Sequence, residues 1–290
     1  TTIFHYSGVS DYNSQGLVSA VSLPNGEEIA YEYDSARRLT AQHNKAGERI
    51  EYKLDLEGNR IGQRIFNATG ALAFSHAQIF DELSRLLSSI GADDNAIGFG
   101  YDKAGNRESM TDALGNTTRY AYDALNRLKA TTDALDGVVT QTYDDADRVT
   151  SITDQRKLTT RYIYNGFGNK IAQISPDTGE TRYEYDEAGN LISKTDARGV
   201  VTQYRYDVLS RVTDVIYPAA NDDNIHYRYD EQHNANSIGR VSRISDASGE
   251  QVYGYNGFGQ VTEVQSQIGV TRYNQSYDYD RNGQLIAQQY

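Results

Sequence analysis

The stretch Thr181-Arg-Tyr-Glu-Tyr-Asp-Glu-Ala-Gly-Asn-Leu-Ile-Ser-Lys-Thr-Asp-Ala-Arg-Gly199 decides the fold. In its first six residues Thr181, Tyr183 and Tyr185 alternate with Arg182, Glu184 and Asp186. Alternation of period two marks a half-buried strand, and Thr and Tyr are good strand formers. Gly189 then falls where a tight hairpin turn needs a positive φ. Leu191 opens a second strand that ends at Thr195-Asp196, and a second turn contains Gly199. One unit reads strand, turn, strand, turn.

Working outward, an aromatic followed by Asp or Asn recurs every 21 residues, at Phe80-Asp81, Tyr101-Asp102, Tyr122-Asp123, Tyr143-Asp144, Tyr164-Asn165, Tyr185-Asp186 and Tyr206-Asp207. Looser copies lie upstream at Tyr12-Asn13, Tyr33-Asp34 and Leu54-Asp55, and downstream at Tyr229-Asp230, Tyr255-Asn256 and Tyr279-Asp280. Such a period is the signature of a tandem array. The wider spacing from Asp55 to Asp81 predicts an insertion near Asn67–Phe74. Later spacings predict longer loops near Pro218–Asn224 and Gln232–Ile238. Three residues past each regular anchor stand Ser84, Gly105, Asn126, Asp147, Gly168, Gly189 and Ser210. Of these, Gly, Asn and Asp tolerate the left-handed region. Second turns carry Gly115, Gly137, Gly179 and Gly199. No stretch keeps a helical period.

The predicted fold is all-β: tandem antiparallel hairpins forming a curved, spiralling sheet strip, part of a hollow shell. The domain expectation is one array over residues 1–290, about thirteen repeats, cut from a longer protein. Tyrosines of equivalent strands should form columns, such as Tyr120, Tyr162, Tyr183 and Tyr204 beside Tyr122, Tyr143, Tyr164, Tyr185 and Tyr206, and stack on one another. Units that touch mainly their neighbours should add stability along the array.

Composition agrees with a thin sheet. Hydrophobic residues make up 38%, below the usual share, and there are 24 Tyr against 7 Phe. A net charge of −12 repels phosphate backbones, so nucleic acid is not an expected partner. No run of 18 apolar residues offers a membrane-spanning helix. The absence of Cys removes disulfides and thiolate metal sites.

Units such as Tyr183–Leu191 and Tyr120–Leu128 resemble the YD repeats of the Rhs family, which also occur in bacterial Tc-toxin B and C components, wall-associated proteins and teneurins. The resemblance runs along essentially the whole chain. It implies a β-strip that spirals into a shell, enclosing a C-terminal toxin in bacterial members. It also implies secretion or a cell-surface location. No Asp-Pro-x-Gly core motif or variable toxin domain stands in the sequence, so self-cleavage and toxicity are not assigned to it.

No constellation argues for catalysis. His5, His43, His76, His226 and His233 occupy non-equivalent positions, and no pair has metal-ligand spacing. Paired carboxylates serve glycosidases, but these aspartates recur unit after unit, as turn-capping side chains do. Asp144-Asp145-Ala-Asp147 lacks the calcium-loop pattern. Gly166–Gly168 and Gly257–Gly259 are variant turns rather than phosphate loops. The sequons at Asn67, Asn116 and Asn274 matter only in a eukaryotic secretory setting, and the repeat style is bacterial. No catalytic, cofactor or metal residue is therefore expected. The site residues expected are structural: the anchors Tyr33, Asp34, Tyr101, Asp102, Tyr122, Asp123, Tyr143, Asp144, Tyr164, Tyr185, Asp186, Tyr206, Asp207, Tyr229 and Asp230, and the turn residues Gly105, Asn126, Asp147, Gly168 and Gly189. The functional expectation is a non-catalytic scaffold whose partner is the rest of its own polypeptide, shell and toxin cargo. The alternative is a surface adhesin or carbohydrate-binding array, with cell-surface glycans as partner.

Overall fold

The structure is a computed structural model that describes residues 16–23, 26–91, 93–220, 223–231, 236–281 and 283–290, with the backbone of 10–12. The described residues form 26 strands and no α-helix. The chain divides into two compact units, Thr1–Thr140 and Gln141–Tyr290. Within each, strands pair antiparallel with their neighbours in sequence, as the hairpin reading requires.

The unit quoted above folds as Gly179–Tyr185 and Leu191–Thr195. Arg182 and Glu184 are exposed while Thr181, Tyr183 and Tyr185 are half-buried, so period-two patterning has become two-faced burial. The same split recurs in Thr159–Tyr164 and Val201–Tyr206. Only Ala41, Ala172 and Val264 are buried hydrophobics among the described residues. A single sheet layer has no interior to fill, which is why the low apolar content suffices.

The extra residues between Asp55 and Asp81 are paired rather than looped out. They lengthen the hairpin formed by Arg60–Phe66 and Leu72–Phe80. The widened spacing before Tyr279 is absorbed likewise, by Val261–Ile268 and Thr271–Tyr279. Of the loops expected near Pro218–Asn224 and Gln232–Ile238, residues 221–222 and 232–235 lie outside the described residues, as do Asn13 of the first anchor, His5 and His233.

Candidate functional site

The anchor turn is built from the backbone outward. In the Asp186 turn the Gly189 amide donates to the Asp186 carbonyl at 3.1 Å and the Asp186 amide to the Asn190 carbonyl at 2.9 Å. This is a three-residue hairpin loop closed by a left-handed residue. All seven third positions hold positive φ: Ser84 (59°), Gly105 (89°), Asn126 (60°), Asp147 (62°), Gly168 (88°), Gly189 (85°) and Ser210 (58°). At the second turns the left-handed residue after Asp133 is Asp136, with Gly137 one place beyond, and after Asp154 it is Lys157.

The anchor carboxylate closes this loop. Asp123 Oδ1 accepts the amides of Leu125 at 2.9 Å and Arg127 at 3.0 Å, while Oδ2 takes the Arg127 Nε at 2.8 Å. Asp81, Asp144 and Asp207 repeat the arrangement with Arg85, Arg148 and Arg211. Asp34 pairs with Arg38 in the same way. Asp102 and Asp186 instead receive the side-chain amides of Asn106 and Asn190. Asp230 precedes a longer loop and takes the Gly239 amide at 2.6 Å. These bonds hold the carboxyls below their ordinary range. For Asp186 the Asn190 side chain is the largest cause, and for Asp123 and Asp207 it is the backbone amide four residues on. A carboxylate so occupied is a structural acceptor and a poor proton carrier.

The anchor tyrosine has a second role. In the anchor hairpins of Tyr33, Tyr101, Tyr122, Tyr164, Tyr185, Tyr206 and Tyr229 the register slips just before the aromatic: Tyr185 faces Leu191 while Glu184 faces Ser193. Ile192 is the bulged residue. On its other side the short strand pairs only Ser193–Thr195 with Val201–Gln203, so the ladder stops short of Leu191. A backbone carbonyl needs a partner, and the Tyr206 hydroxyl supplies one at 2.8 Å. The same bond runs from Tyr33 to Val18, Tyr101 to Leu86, Tyr122 to Arg107, Tyr164 to Val149 and Tyr185 to Lys170, each at 2.9 Å and fifteen residues back in sequence. Tyr229 reaches Val212 over the longer spacing. Tyr143 takes the Gln141 amide at 2.7 Å. Burial raises the hydroxyl pKa of Tyr185, Tyr206 and Tyr229.

The expected stacking of tyrosine on tyrosine is corrected by the structure. With two strands per unit, equivalent rings stand about 9.6 Å apart, beyond the reach of a ring pair. A cation from the intervening strand fills the gap. The Lys170 Nζ lies 5.6 Å from the Tyr162 ring centre and 4.8 Å from that of Tyr183. Arg107 sits likewise between Phe99 and Tyr120. Arg85, Arg148 and Arg211 lie over Tyr101, Tyr164 and Tyr229 at 4.7, 4.9 and 4.2 Å. Some of these cations also touch the next anchor turn: Arg148 donates to the Asn165 carbonyl at 3.2 Å and Arg211 to the Asp230 carboxylate at 2.7 Å.

Sequence reasoning missed the hydroxyl bond and the cation. The excess of Tyr over Phe and the recurring Arg four residues after the anchor carried both signals. It also missed an anchor: Phe66-Asn67, read as insertion and sequon. Asn67 Oδ1 accepts the amides of Thr69 and Ala71 at 3.0 Å, with the register slip before Phe66.

Among the described residues no three or more His, Asp or Glu side chains are placed to share a metal ion. His226 pairs with Asp214 at 2.7 Å and His76 with Ser89 at 2.8 Å. Among the described residues no helix is long and apolar enough to cross a membrane.

The RHS Repeat family model matches residues 12–49, 101–138, 122–158, 143–181 and 185–222, more than half of the chain. The chain belongs to the RHS repeat family. Solved structures show the same fold. The TcdB2-TccC3 complex superposes with a TM-score of 0.59 at 15% identity, covering 97% of this RHS chain and 20% of that one. TcdB2-TccC3 without its hypervariable C-terminal region gives 0.59 at 16% identity, covering 96% and 16%. A Photorhabdus luminescens Tc holotoxin pore gives 0.57 at 15% identity, covering 97% and 19%. This RHS chain thus spans a fifth or less of the length of these relatives. At these identities the likeness is one of fold.

Proposed function

We propose that this RHS chain is a non-catalytic scaffold, one continuous array of about thirteen repeats belonging to a longer polypeptide. Its role is to form part of a β-shell enclosing a polypeptide cargo, such as a toxin, carried by the same chain and destined for secretion or the cell surface. One observation carries the reading: equivalent anchor side chains do equivalent work in unit after unit. The carboxylate closes its own turn, and the tyrosine hydroxyl binds the unit before it. An active site needs one constellation that differs from the rest, and a wall needs this repetition. The relatives of like fold include TcdB2-TccC3 and a Tc holotoxin pore, and both fit the same reading.

The adhesin or glycan-binding alternative asks for open aromatic faces. Lys170, Arg107, Arg85, Arg148 and Arg211 lie over strand rings such as Tyr183, Tyr120, Tyr101, Tyr164 and Tyr229, which leaves Phe167 and Phe258 at the turns as open rings that this reading would use.

Protease treatment of the full-length polypeptide tests the proposal. The segment outside the repeats should survive digestion while the repeats are folded and be degraded once urea opens them. A segment digested at the same rate in both states would refute enclosure.

A further inference from the structure

Four anchors carry asparagine in place of aspartate, Asn13, Asn67, Asn165 and Asn256, and the last two are followed by glycine: Asn165-Gly166 and Asn256-Gly257. We propose that Asn165 and Asn256 are sites of spontaneous deamidation that convert amide anchors into carboxylate anchors.

The turn supplies the chemistry. Asn165 Oδ1 accepts the amides of Phe167 and Asn169, each at 3.0 Å. Asn256 Oδ1 accepts those of Phe258 and Gln260, each at 3.0 Å. Two backbone donors on one carbonyl oxygen polarise Cγ and stabilise the oxyanion that forms when Cγ is attacked. The attacker is the backbone nitrogen of the next residue. Around Gly166 and around Gly257 the Cβ position is open space.

The step balances. The Gly166 nitrogen loses its proton and bonds to Asn165 Cγ. The Cγ–Nδ2 bond breaks, and ammonia leaves carrying that proton, giving a cyclic imide. Solvent water then opens the imide at one of its two carbonyls. Opening at the backbone carbonyl places an extra carbon in the main chain and is incompatible with the bonds from Gly168 to Asn165 and from Asn165 to Asn169. Opening at the side-chain carbonyl leaves aspartate and preserves them. The new carboxylate then lies beside Arg148, which already donates to the Asn165 carbonyl at 3.2 Å. At the equivalent place Arg211 binds the Asp230 carboxylate at 2.7 Å.

The molecule contains its own control. Asn67 Oδ1 receives two backbone amides in the same way but is followed by Ala68, whose Cβ crowds the attacking nitrogen.

The test is peptide mass spectrometry on the folded protein held at neutral to mildly alkaline pH, alongside the same chain held in urea. The expected result is conversion of Asn165 and Asn256 to aspartate in the folded protein while Asn67 keeps its amide. Gly166→Ala, at a position without positive φ and with room for a methyl group, should slow Asn165 about tenfold, the effect of a modest steric barrier. Retention of both amides in the folded protein while the urea-unfolded chain converts would overturn the proposal. So would conversion of Asn67 at the same rate, or an unchanged rate in Gly166→Ala.

Discussion

The Tyr206 hydroxyl donates to the Leu191 carbonyl at 2.8 Å, across fifteen residues of sequence and from one repeat to the one before it. The bond exists because the bulge at Ile192 ends the backbone ladder short of Leu191. A phenylalanine would fill the same place on the sheet and leave that carbonyl unpaired. Where an anchor carries tyrosine, its oxygen serves the preceding repeat, while the Asp or Asn beside it serves its own turn; the anchors at Leu54 and Phe80 have no hydroxyl to give.

The two oxygens of Asp207 have separable roles. Asp207→Asn keeps the acceptor for the Leu209 and Arg211 amides and loses the charge facing Arg211. Asp207→Ala loses both. The urea midpoint should fall in the alanine variant by more than in the asparagine variant. Equal midpoints would show that the backbone bonds do not matter.

Left-handed positions give a pair of opposite effects. Gly189 has φ of 85° with open space around its Cβ position, so Gly189→Val should cost about 1 kcal/mol or more through the backbone alone. Lys157 holds φ of 67° despite its side chain. Lys157→Gly should stabilise by about 0.5 kcal/mol, the relief of left-handed strain less the entropy that glycine brings to the unfolded chain. Thermal melts of the two variants should move in opposite directions.

Strand, hairpin turn and anchor were legible because period two, positive-φ residues and a 21-residue step all repeat, so that chance agreement cancels. Phe66-Asn67 was hidden because it breaks the step, although the local rule of aromatic, amide and Gly70 three residues on is intact. The Tyr–carbonyl bond was hidden for a different reason. It depends on a bulge, and a bulge changes register without leaving a mark on alternation. The tyrosine stack failed on distance: two strands per repeat put equivalent rings too far apart, and Lys170 and Arg107 occupy the space between.

Stability should fall at both ends of the pH scale. The anchor carboxyls, Asp123, Asp186 and Asp207 among them, are held below their ordinary range. A depressed folded value means that their contribution is present above about 3.9, the unfolded value. It is lost as the pH drops through the lower folded values. Tyr185, Tyr206 and Tyr229 are raised by burial, so their contribution is full below about 10 and disappears as the pH climbs through their folded values. Urea midpoints measured across pH should decline below about 4 and above about 10. A midpoint that rises on acidification to pH 3 would contradict the anchor assignment.

If the anchors are a repeated structural device, removing one hydroxyl should have the same effect wherever it is removed. The decisive measurement is the urea stability of Tyr101→Phe, Tyr122→Phe, Tyr164→Phe, Tyr185→Phe and Tyr206→Phe, made singly. Each deletes one hydroxyl-to-carbonyl bond between repeats. Each should lower stability by about 1 kcal/mol, the usual net worth of such a bond, with no position standing apart. Four neutral substitutions and one with a large effect would mean a single functional tyrosine in an otherwise passive array, and would contradict the scaffold reading.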